Sequence, residues 1–142
     1  MSKNPNAIHL LEKNPDKIYW HNLLINPNAL HLLEKNFDKI DWRYLSKNPN
    51  ALHLLEIVLQ NEPDKISWKL LSQNPNAIHL LEKYPNKIYW EYLSGNPNLL
   101  NAIHLLEIVL QHGPDKINWE YLSGNPNAIH ILEKYPDKIN WE

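Results

Sequence analysis

The sequence predicts an all-α protein, in the form of an α-solenoid of six stacked short helix-turn-helix repeats. Two observations lead to this prediction: one motif recurs along almost the whole chain of 142 residues, and each copy carries helix start and stop signals. The tripeptide Asn-Pro-Asn begins each copy, at steps of 22, 22, 26, 22 and 29 residues. It starts at Asn4, Asn26, Asn48, Asn74, Asn96 and Asn125. The predicted organisation is one repeat domain, residues 1–142, with repeats at 4–25, 26–47, 48–73, 74–95, 96–124 and 125–142.

Each repeat begins with residues that favour a helix N-terminus. Asn4 is a preferred N-cap, and Pro5 suits the first helical position, where a missing N–H costs nothing. The apolar residues that follow, from Ile8 onward, form one helical face. Asn14-Pro15 is expected to end this first helix, because a residue that precedes proline is displaced from the helical conformation.

A second short helix is predicted around the Trp of each repeat. Either Asp16 or the residue directly before Trp, which is Asp41, Ser67, Asn118 or Asn140, can cap this helix. Tyr19 and Tyr89 occupy the same position and cannot. The alternating stretch Lys-Ile-x-Trp-x-Tyr-Leu also fits a β-strand, but it is short and leads directly into the next Asn-Pro. We therefore predict a helix pair in each repeat.

One Trp per repeat is expected to hold each helix pair together. Helices shorter than about 12–15 residues are marginal in isolation, so tertiary packing must stabilise those of this chain. Burial of one Trp removes roughly 150–250 Å² from water, which is worth about 4–6 kcal/mol at ~25 cal/mol per Å². The predicted core anchors are Trp20, Trp42, Trp68, Trp90 and Trp119.

Two repeats are longer than the others. The third gains residues 57–60, and the fifth gains the same four residues at 108–111 together with three more at 99–101. Their spacing predicts lengthened first helices, with Gly113 as a left-handed C-terminal stop. The added apolar turns either overhang the shorter repeats as an interaction surface or pack into a larger core. The residues concerned are Ile57, Leu59, Leu100, Val109 and Leu110.

The sequence contains none of the common catalytic motifs. With no Cys and only three isolated Gly, neither a thiolate site nor a Gly-rich phosphate loop can form. Carboxylates are spread along the repeats without a clustered pair. We therefore predict that the protein is not an enzyme, with no catalytic residues and no cofactor.

One His recurs at the same helical position of every repeat. A metal site needs three or four ligands within about 2.0–2.2 Å of the ion, whereas packed helices lie about 8–10 Å apart. We therefore predict no metal site, and instead a hydrogen bond from each imidazole to a loop backbone. These residues are His9, His31, His53, His79, His104 and His130.

The charge pattern argues against nucleic acids and membranes as partners. The formal net charge is −2, and no basic stripe follows the repeats. There is no polybasic segment, no run of 18 apolar residues and no secretory leader pattern. We expect an intracellular location, because the absence of Cys fits a reducing compartment.

The positions that flank each Trp vary between repeats, whereas the Asn-Pro, Ile and Trp positions barely change. Variation at a regular spacing indicates a solvent-exposed face, and tyrosines on such a face are suited to bind a partner. Neutral surface drift would explain the same variation. The candidate partner surface, which we call the variable surface, comprises Tyr19, His21, Asp41, Arg43, Tyr44, Lys69, Tyr89, Glu91, Tyr92, Glu120 and Tyr121.

The units N-P-N-A-I-H-L-L-E-K-N-P-D-K-I and W-x-Y-L-S resemble short tandem repeats of uncharacterised proteins encoded by giant DNA viruses. Residues 102–113 are similar to segments of ankyrin repeats, although that family has a unit of about 33 residues and the Trp is foreign to it. The first resemblance implies a viral or virus-derived protein of the host cytoplasm, with no catalytic residues to transfer. The second implies a role in protein binding.

The function predicted from the sequence is therefore a non-enzymatic scaffold that mediates protein–protein interaction, with a partner whose identity the sequence does not encode. Two alternatives remain open. The first is an engineered or consensus scaffold without a natural ligand. The second is a structural element that self-associates into homo-oligomers through exposed repeat faces.

Overall fold

The computed structural model describes residues 1 to 142, and every regular element in it is helical. The α-helices are α1 (Ile8–Glu12), α2 (Trp20–Leu23), α3 (Leu30–Glu34), α4 (Trp42–Leu45), α5 (Leu52–Asn61), α6 (Trp68–Ser72), α7 (Ile78–Lys83), α8 (Trp90–Ser94), α9 (Ile103–His112), α10 (Trp119–Ser123) and α11 (Ile129–Lys134). No β-strand forms, so the all-α prediction is confirmed and the strand alternative is excluded. None of these helices has the length and apolar character needed to cross a membrane.

The chain divides into two compact bodies, residues 1–70 and residues 71–142, with the boundary inside α6. Each body has its own core of leucine and alanine side chains. The fully enclosed leucines of the N-terminal body include Leu23, Leu33, Leu45 and Leu55, and those of the C-terminal body include Leu71, Leu81, Leu93 and Leu106.

The first α-helix of each repeat begins later than the sequence predicted. In repeat 1, Pro5–Ala7 form a 3₁₀ turn, and α1 starts only at Ile8. The side-chain oxygen of Asn4 accepts a hydrogen bond from the N–H of Asn6 at 3.0 Å. This bond between residues two positions apart closes a local turn and does not cap an α-helix. The same turn forms at the first Asn of the other five repeats.

The predicted helix stop before proline is confirmed. Asn14 leaves the helical region, with φ −136° and ψ 64°, as expected for a residue that precedes proline. A 3₁₀ turn at Pro15–Lys17, which the sequence did not predict, then connects the two helices. In repeat 2 the corresponding turn, Phe37–Lys39, forms with Phe in place of proline.

In repeats 1 to 5 the second helix begins at its Trp, as predicted. In repeat 6 the predicted second helix is absent, because residues 139–142 are not helical, although Asn140 Oδ1 accepts a hydrogen bond from the N–H of Glu142. The side chains of Asp41, Ser67 and Asn118 each accept a hydrogen bond from a backbone N–H two or three residues further on. Tyr19 and Tyr89 provide no side-chain cap. The capping pattern therefore follows the residue type at this one position.

The four-residue insertions at 57–60 and 108–111 are helical and lengthen the first helices of repeats 3 and 5, as predicted: α5 and α9 each contain ten residues. The prediction is wrong for the three further residues of repeat 5, 99–101, which lie in a separate 3₁₀ turn, Leu99–Ala102, ahead of α9. The prediction of a left-handed stop at Gly113 is wrong, because its φ of −173° is extended. Glu62 ends α5 with φ −143° and a similar ψ, so the proline that follows each residue ends the helix without a glycine conformation.

Within each body, the first Asn of the motif bonds its repeat to the one before it, in repeats 2, 3, 5 and 6. In repeat 2, Asn26 Nδ2 donates to the carbonyls of Ser2 and Asn4, at 2.9 and 3.1 Å. Asn96 and Asn125 make the same pair of bonds. In repeats 2 to 6 this Asn is between 0% and 5% exposed. The buried amide thus uses two donor bonds and one acceptor bond, and we call this repeated arrangement the asparagine ladder.

Two further contacts reinforce the asparagine ladder. The second Asn of the motif donates to the proline carbonyl of the preceding repeat, as Asn98 does to Pro75 at 2.8 Å. A serine hydroxyl accepts the backbone N–H of the residue before Trp, as Ser72 does from Tyr89 at 3.1 Å. The frame is therefore built mostly from bonds to backbone groups, which every residue type supplies.

The predicted core anchors are less buried than expected. Trp42 is 8% exposed, whereas Trp20, Trp68, Trp90 and Trp119 are only half-buried. Each Trp is the first residue of a helix of four or five residues, and so large a ring is rarely enclosed completely. Leucine side chains and the asparagine ladder, more than the indoles, form the enclosed interior.

Replacing Asn96 by Ala should lower the free energy of unfolding by about 2–4 kcal/mol, because each buried polar group left without a partner costs ~1–3 kcal/mol. Urea denaturation followed by circular dichroism measures this loss. Asn4→Ala is the matched control, because Asn4 has the same motif position but is exposed and its side chain makes only the local turn bond. The control should cost about 1 kcal/mol or less. Equal losses in the two variants would contradict the role of the ladder.

Candidate interaction surface

The structure leaves most of the variable surface in contact with solvent. Two of its members, Asp41 and Tyr92, are half-buried. The exposed ones are Tyr19, His21, Arg43, Tyr44, Lys69, Tyr89, Glu91, Glu120 and Tyr121. Their backbone is nonetheless held firmly: the N–H of Tyr19 donates to Ser2 Oγ at 3.2 Å, although the Tyr19 side chain is 74% exposed. At Tyr19 the surface therefore presents an exposed side chain on a backbone that is hydrogen-bonded to another part of the chain.

In the N-terminal body, two aromatic rings of the variable surface meet across neighbouring repeats, and two charged side chains pair within repeat 2. The rings of His21 and Tyr44 contact edge to face, with centroids 4.3 Å apart and planes at 76°. Asp41 and Arg43 form an ion pair, with Nη2 and Oδ2 3.2 Å apart and a second bond from Nε to Oδ1. This part of the variable surface thus combines an aromatic pair with a bidentate ion pair.

The hydrogen bonds from the Arg43 side chain lower the pKa of Asp41 below its ordinary value. Partial desolvation acts in the opposite direction but is the smaller effect, and the backbone N–H of Arg43 adds a further bond that favours the carboxylate. Asp41 is therefore ionised at neutral pH, and its charge is held against Arg43.

In the C-terminal body, the variable surface is aromatic and acidic. Tyr89 and Tyr92 contact edge to face with ring centroids 6.4 Å apart. Helices α8 and α10 pack together, and a Cβ added to Gly95 would lie 3.8 Å from the side chain of Tyr121. Glu91 and Glu120 follow the Trp of their helices and are exposed.

The charge next to Trp changes sign along the chain. The residue after Trp is His21, Arg43 or Lys69 in the first three repeats, and it is Glu91 or Glu120 in the next two. All five side chains are exposed. The residues that follow Trp are therefore basic or imidazole side chains in the N-terminal body and acidic in the C-terminal body.

The apolar overhang residues divide into two sets. Leu59, Val109 and Leu110 are buried, as expected if the added turns pack into a core. Ile57 and Leu100 are exposed. The sequence analysis omitted Ile108, which is 54% exposed although it lies in the same added turn as Val109 and Leu110.

One groove of about 440 Å³ lies beside that added turn, within the C-terminal body. Sequence analysis did not predict it. Its lining comes from two repeats and consists of Pro85, Asn86, Ile88, Trp90, Ile108, Val109, His112, Gly113 and Lys116. Because Trp90 is one of these residues, we call it the Trp90 groove.

Two of the repeated histidines bond to carboxylates and not, as predicted, to loop backbone. His31 Nε2 lies 2.7 Å from Glu12 Oε1, and His104 Nε2 lies 3.1 Å from Glu82 Oε1. The reason is register, because in repeats 2 and 5 the first helix places its His near the Glu of the repeat before. At the next step Lys134 pairs with that Glu instead, and the enclosed His130 Nε2 has no hydrogen-bond partner.

No group of three or more His, Asp or Glu side chains lies close enough to hold a metal ion. The paired His and Glu side chains on the first helices are two-residue contacts. Their arrangement supports ion pairing between neighbouring repeats and offers no set of ligands for catalytic or structural metal chemistry.

Comparisons with protein-family models, curated proteins and solved structures find no match to this chain. The resemblances to giant-virus repeats and to ankyrin repeats therefore stay predictions. The function proposed below therefore rests on the residues and their geometry.

The pKa of Asp41 should lie below the usual Asp value of about 3.9 and should rise toward it in Arg43→Gln. A depressed folded-state pKa stabilises the protein above the unfolded-state pKa, and this small contribution is lost as the pH falls through the folded-state value. NMR titration of the Asp41 carboxyl carbon measures the shift. Lys47→Gln removes a nearby exposed cation that makes no bond to Asp41 and should leave the pKa unchanged. An unchanged value in Arg43→Gln would refute the assignment.

Proposed function

We propose that the protein is a non-enzymatic repeat scaffold that mediates protein–protein interaction. In this proposal the six repeats stack as one α-solenoid, and the partner binds the variable surface. The asparagine ladder supports the stacking, because within each body it bonds consecutive repeats through buried amides. The candidate partner residues are those of the variable surface.

The observation that carries this proposal is the separation of frame and surface. The motif Asn and Pro residues of the frame are the same in all six repeats, and the Asn side chains bond mostly to backbone groups. The residues that flank Trp vary more, nine of the eleven on the variable surface are exposed, and four of those nine are tyrosines. Tyrosine is enriched at binding interfaces because it buries a large rigid ring and still offers a hydroxyl group. Variation at exposed aromatic and charged positions beside a conserved set of Asn and Pro residues supports a role in recognition.

The sign change along the variable surface adds a condition on the partner. Arg43 and Lys69 favour carboxylates on one part of the partner, and Glu91 and Glu120 favour cations on another. Such charges act chiefly on the association rate and on the choice of partner, while the aromatic rings supply most of the affinity.

Replacing Tyr19, Tyr89 and Tyr121 by Ser should abolish capture of the specific partner from a cell extract. Each interface tyrosine that is truncated costs about 1–2 kcal/mol, so three together reduce affinity by more than about 100-fold. The measurement is quantitative mass spectrometry of proteins retained by the immobilised wild type and variants, followed by direct titration of the retained protein.

A second triple variant provides the matched control for this experiment. Leu10, Ile25 and Ile129 are exposed apolar residues outside the variable surface, and their replacement by Ser should leave capture unchanged. Circular dichroism verifies that both variants are folded. If the two triple variants retain the same proteins in the same amounts, the variable surface is not the interface.

A further inference from the structure

We propose that the Trp90 groove is a second binding site, which takes an aromatic side chain from an acidic segment of a partner protein. The groove shares no residue with the variable surface, so this inference goes beyond the proposed function. It combines an apolar wall with one free cation, and both features can be traced to particular sequence differences between repeats.

The groove exists because neighbouring first helices differ in length. Helix α7 has six residues and α9 has ten, so the last turn of α9 extends past the end of α7. That turn brings Ile108 and Val109 beside Pro85 and Trp90 of the shorter repeat, and the four side chains line the groove. The insertion thus creates a concave apolar site of a size that suits one bulky side chain.

In two other repeats, an aromatic ring packs on the indole of the Trp. Phe37 packs on Trp42 of its own repeat, with ring centroids 5.6 Å apart, and Tyr135 packs on Trp119 of the preceding repeat at 5.7 Å. Trp42, with this cover, is the most buried of the five predicted anchors. These pairs show that an indole in this setting accepts a second ring.

Trp90 lacks both kinds of cover. Pro85 occupies the position in repeat 4 that Phe37 occupies in repeat 2, and Gly113 occupies the position in repeat 5 that Tyr135 occupies in repeat 6. The segments 113–119 and 135–141 read GPDKINW and YPDKINW, so they differ only at this residue. The groove is therefore the space that a ring fills in the neighbouring repeat.

Gly113 also lacks the carboxylate that one other repeat offers to the lysine of this turn. In repeat 3, Glu62 precedes the proline and pairs with Lys65, with Oε2 and Nζ 2.7 Å apart. In repeat 5, Gly113 stands in that position, and the stem of Lys116 lies about 3.5 Å from where its Cβ would be. Lys116 makes no ion pair, and no carboxylate lines the groove.

These features together define the chemistry of the occupant. An aromatic ring fits over Trp90 and against Ile108, while a carboxylate next to that ring reaches the ammonium of Lys116 and the imidazole of His112. A cationic partner would meet Lys116 with like charge and gain nothing. An aromatic residue adjacent to Asp or Glu in a partner segment meets both requirements.

The test uses the whole chain and two probes, indole-3-acetate and the capped peptide Gly-Asp-Trp-Glu-Gly. The readout is the indole N–H signal of Trp90 in ¹H–¹⁵N spectra, assigned with Trp90→Phe. We expect saturable shifts of this signal, with a Kd on the order of 1 mM for the fragment and a tighter value for the peptide. Tryptamine, which has the same ring with a cation, should bind at least about tenfold more weakly. Failure of both acidic probes to shift the signal, or equal binding of tryptamine, overturns the proposal.

Three substitutions separate the ring site from the cation. Gly113→Tyr supplies the ring that repeat 6 carries and should reduce peptide affinity more than about tenfold. Gly113→Glu supplies the carboxylate that repeat 3 carries, at a backbone conformation that Glu62 already adopts, and should weaken both acidic probes about fivefold. Gly124→Ala, at a glycine with no side chain within 4 Å of its added Cβ, should bind like the wild type. Unchanged peptide affinity in Gly113→Glu overturns the proposal even if Gly113→Tyr fails to fold, and none of these results affects the role of the variable surface.

Discussion

The buried amide of the first motif Asn is the interaction on which the rest of the structure depends. It satisfies three backbone groups at once: Asn96 accepts from Asn98 N–H and donates to two carbonyls of the preceding repeat. An amide in the protein interior is favourable only when its hydrogen bonds are complete, and this geometry completes them in each linked repeat. Helices of four to six residues, too short to persist alone, thereby acquire fixed neighbours. Because the bonds end on backbone groups, side chains elsewhere can change without disturbing the frame.

How much of the fold the sequence predicts depends on whether the cause is local. The helix stop before Pro15, the caps at Asp41 and Asn118, and the helical insertions follow from sterics, capping and periodicity within a few residues, and all were predicted correctly. The first Asn was interpreted as an N-cap, which captures its short-range acceptor bond and misses its donor bonds to residues 22 or more positions away. Residue type alone could not separate these two roles. The recurrence of Asn beside Pro in all six repeats was the available signal, since an exposed cap tolerates Ser, Thr or Asp equally well.

The sites were predictable to different degrees for a related reason. The exposure of the variable surface was predicted because its positions vary between repeats while the Asn-Pro, Ile and Trp positions barely change. The structure leaves nine of its eleven residues exposed. The burial of Trp was overestimated because its large area was counted as if the ring were enclosed, although the neighbouring side chains decide how much of it is. The carboxylate partners of His31 and His104 depend on the register between repeats, which the sequence period implies but does not specify in atomic detail. The Trp90 groove was not predicted, because it forms where Pro85 and Gly113 replace the aromatic rings that pack on Trp in other repeats.

The pair of segments GPDKINW and YPDKINW shows how such a protein can gain a site without altering its frame. Both segments form the same type of 3₁₀ turn and lead to a Trp at the same position. The exchange of Gly for Tyr therefore leaves the secondary structure of the turn unchanged. In the preceding repeat, however, it decides whether the indole is covered by a ring from this chain or left open. The four-residue insertion then adds an apolar wall. Gly113 lacks the carboxylate with which Glu62 pairs with Lys65, so Lys116 makes no ion pair. Each change is confined to one repeat and touches no residue of the asparagine ladder. A repeat frame that bonds through backbone groups therefore permits binding sites to form wherever one copy departs from the others.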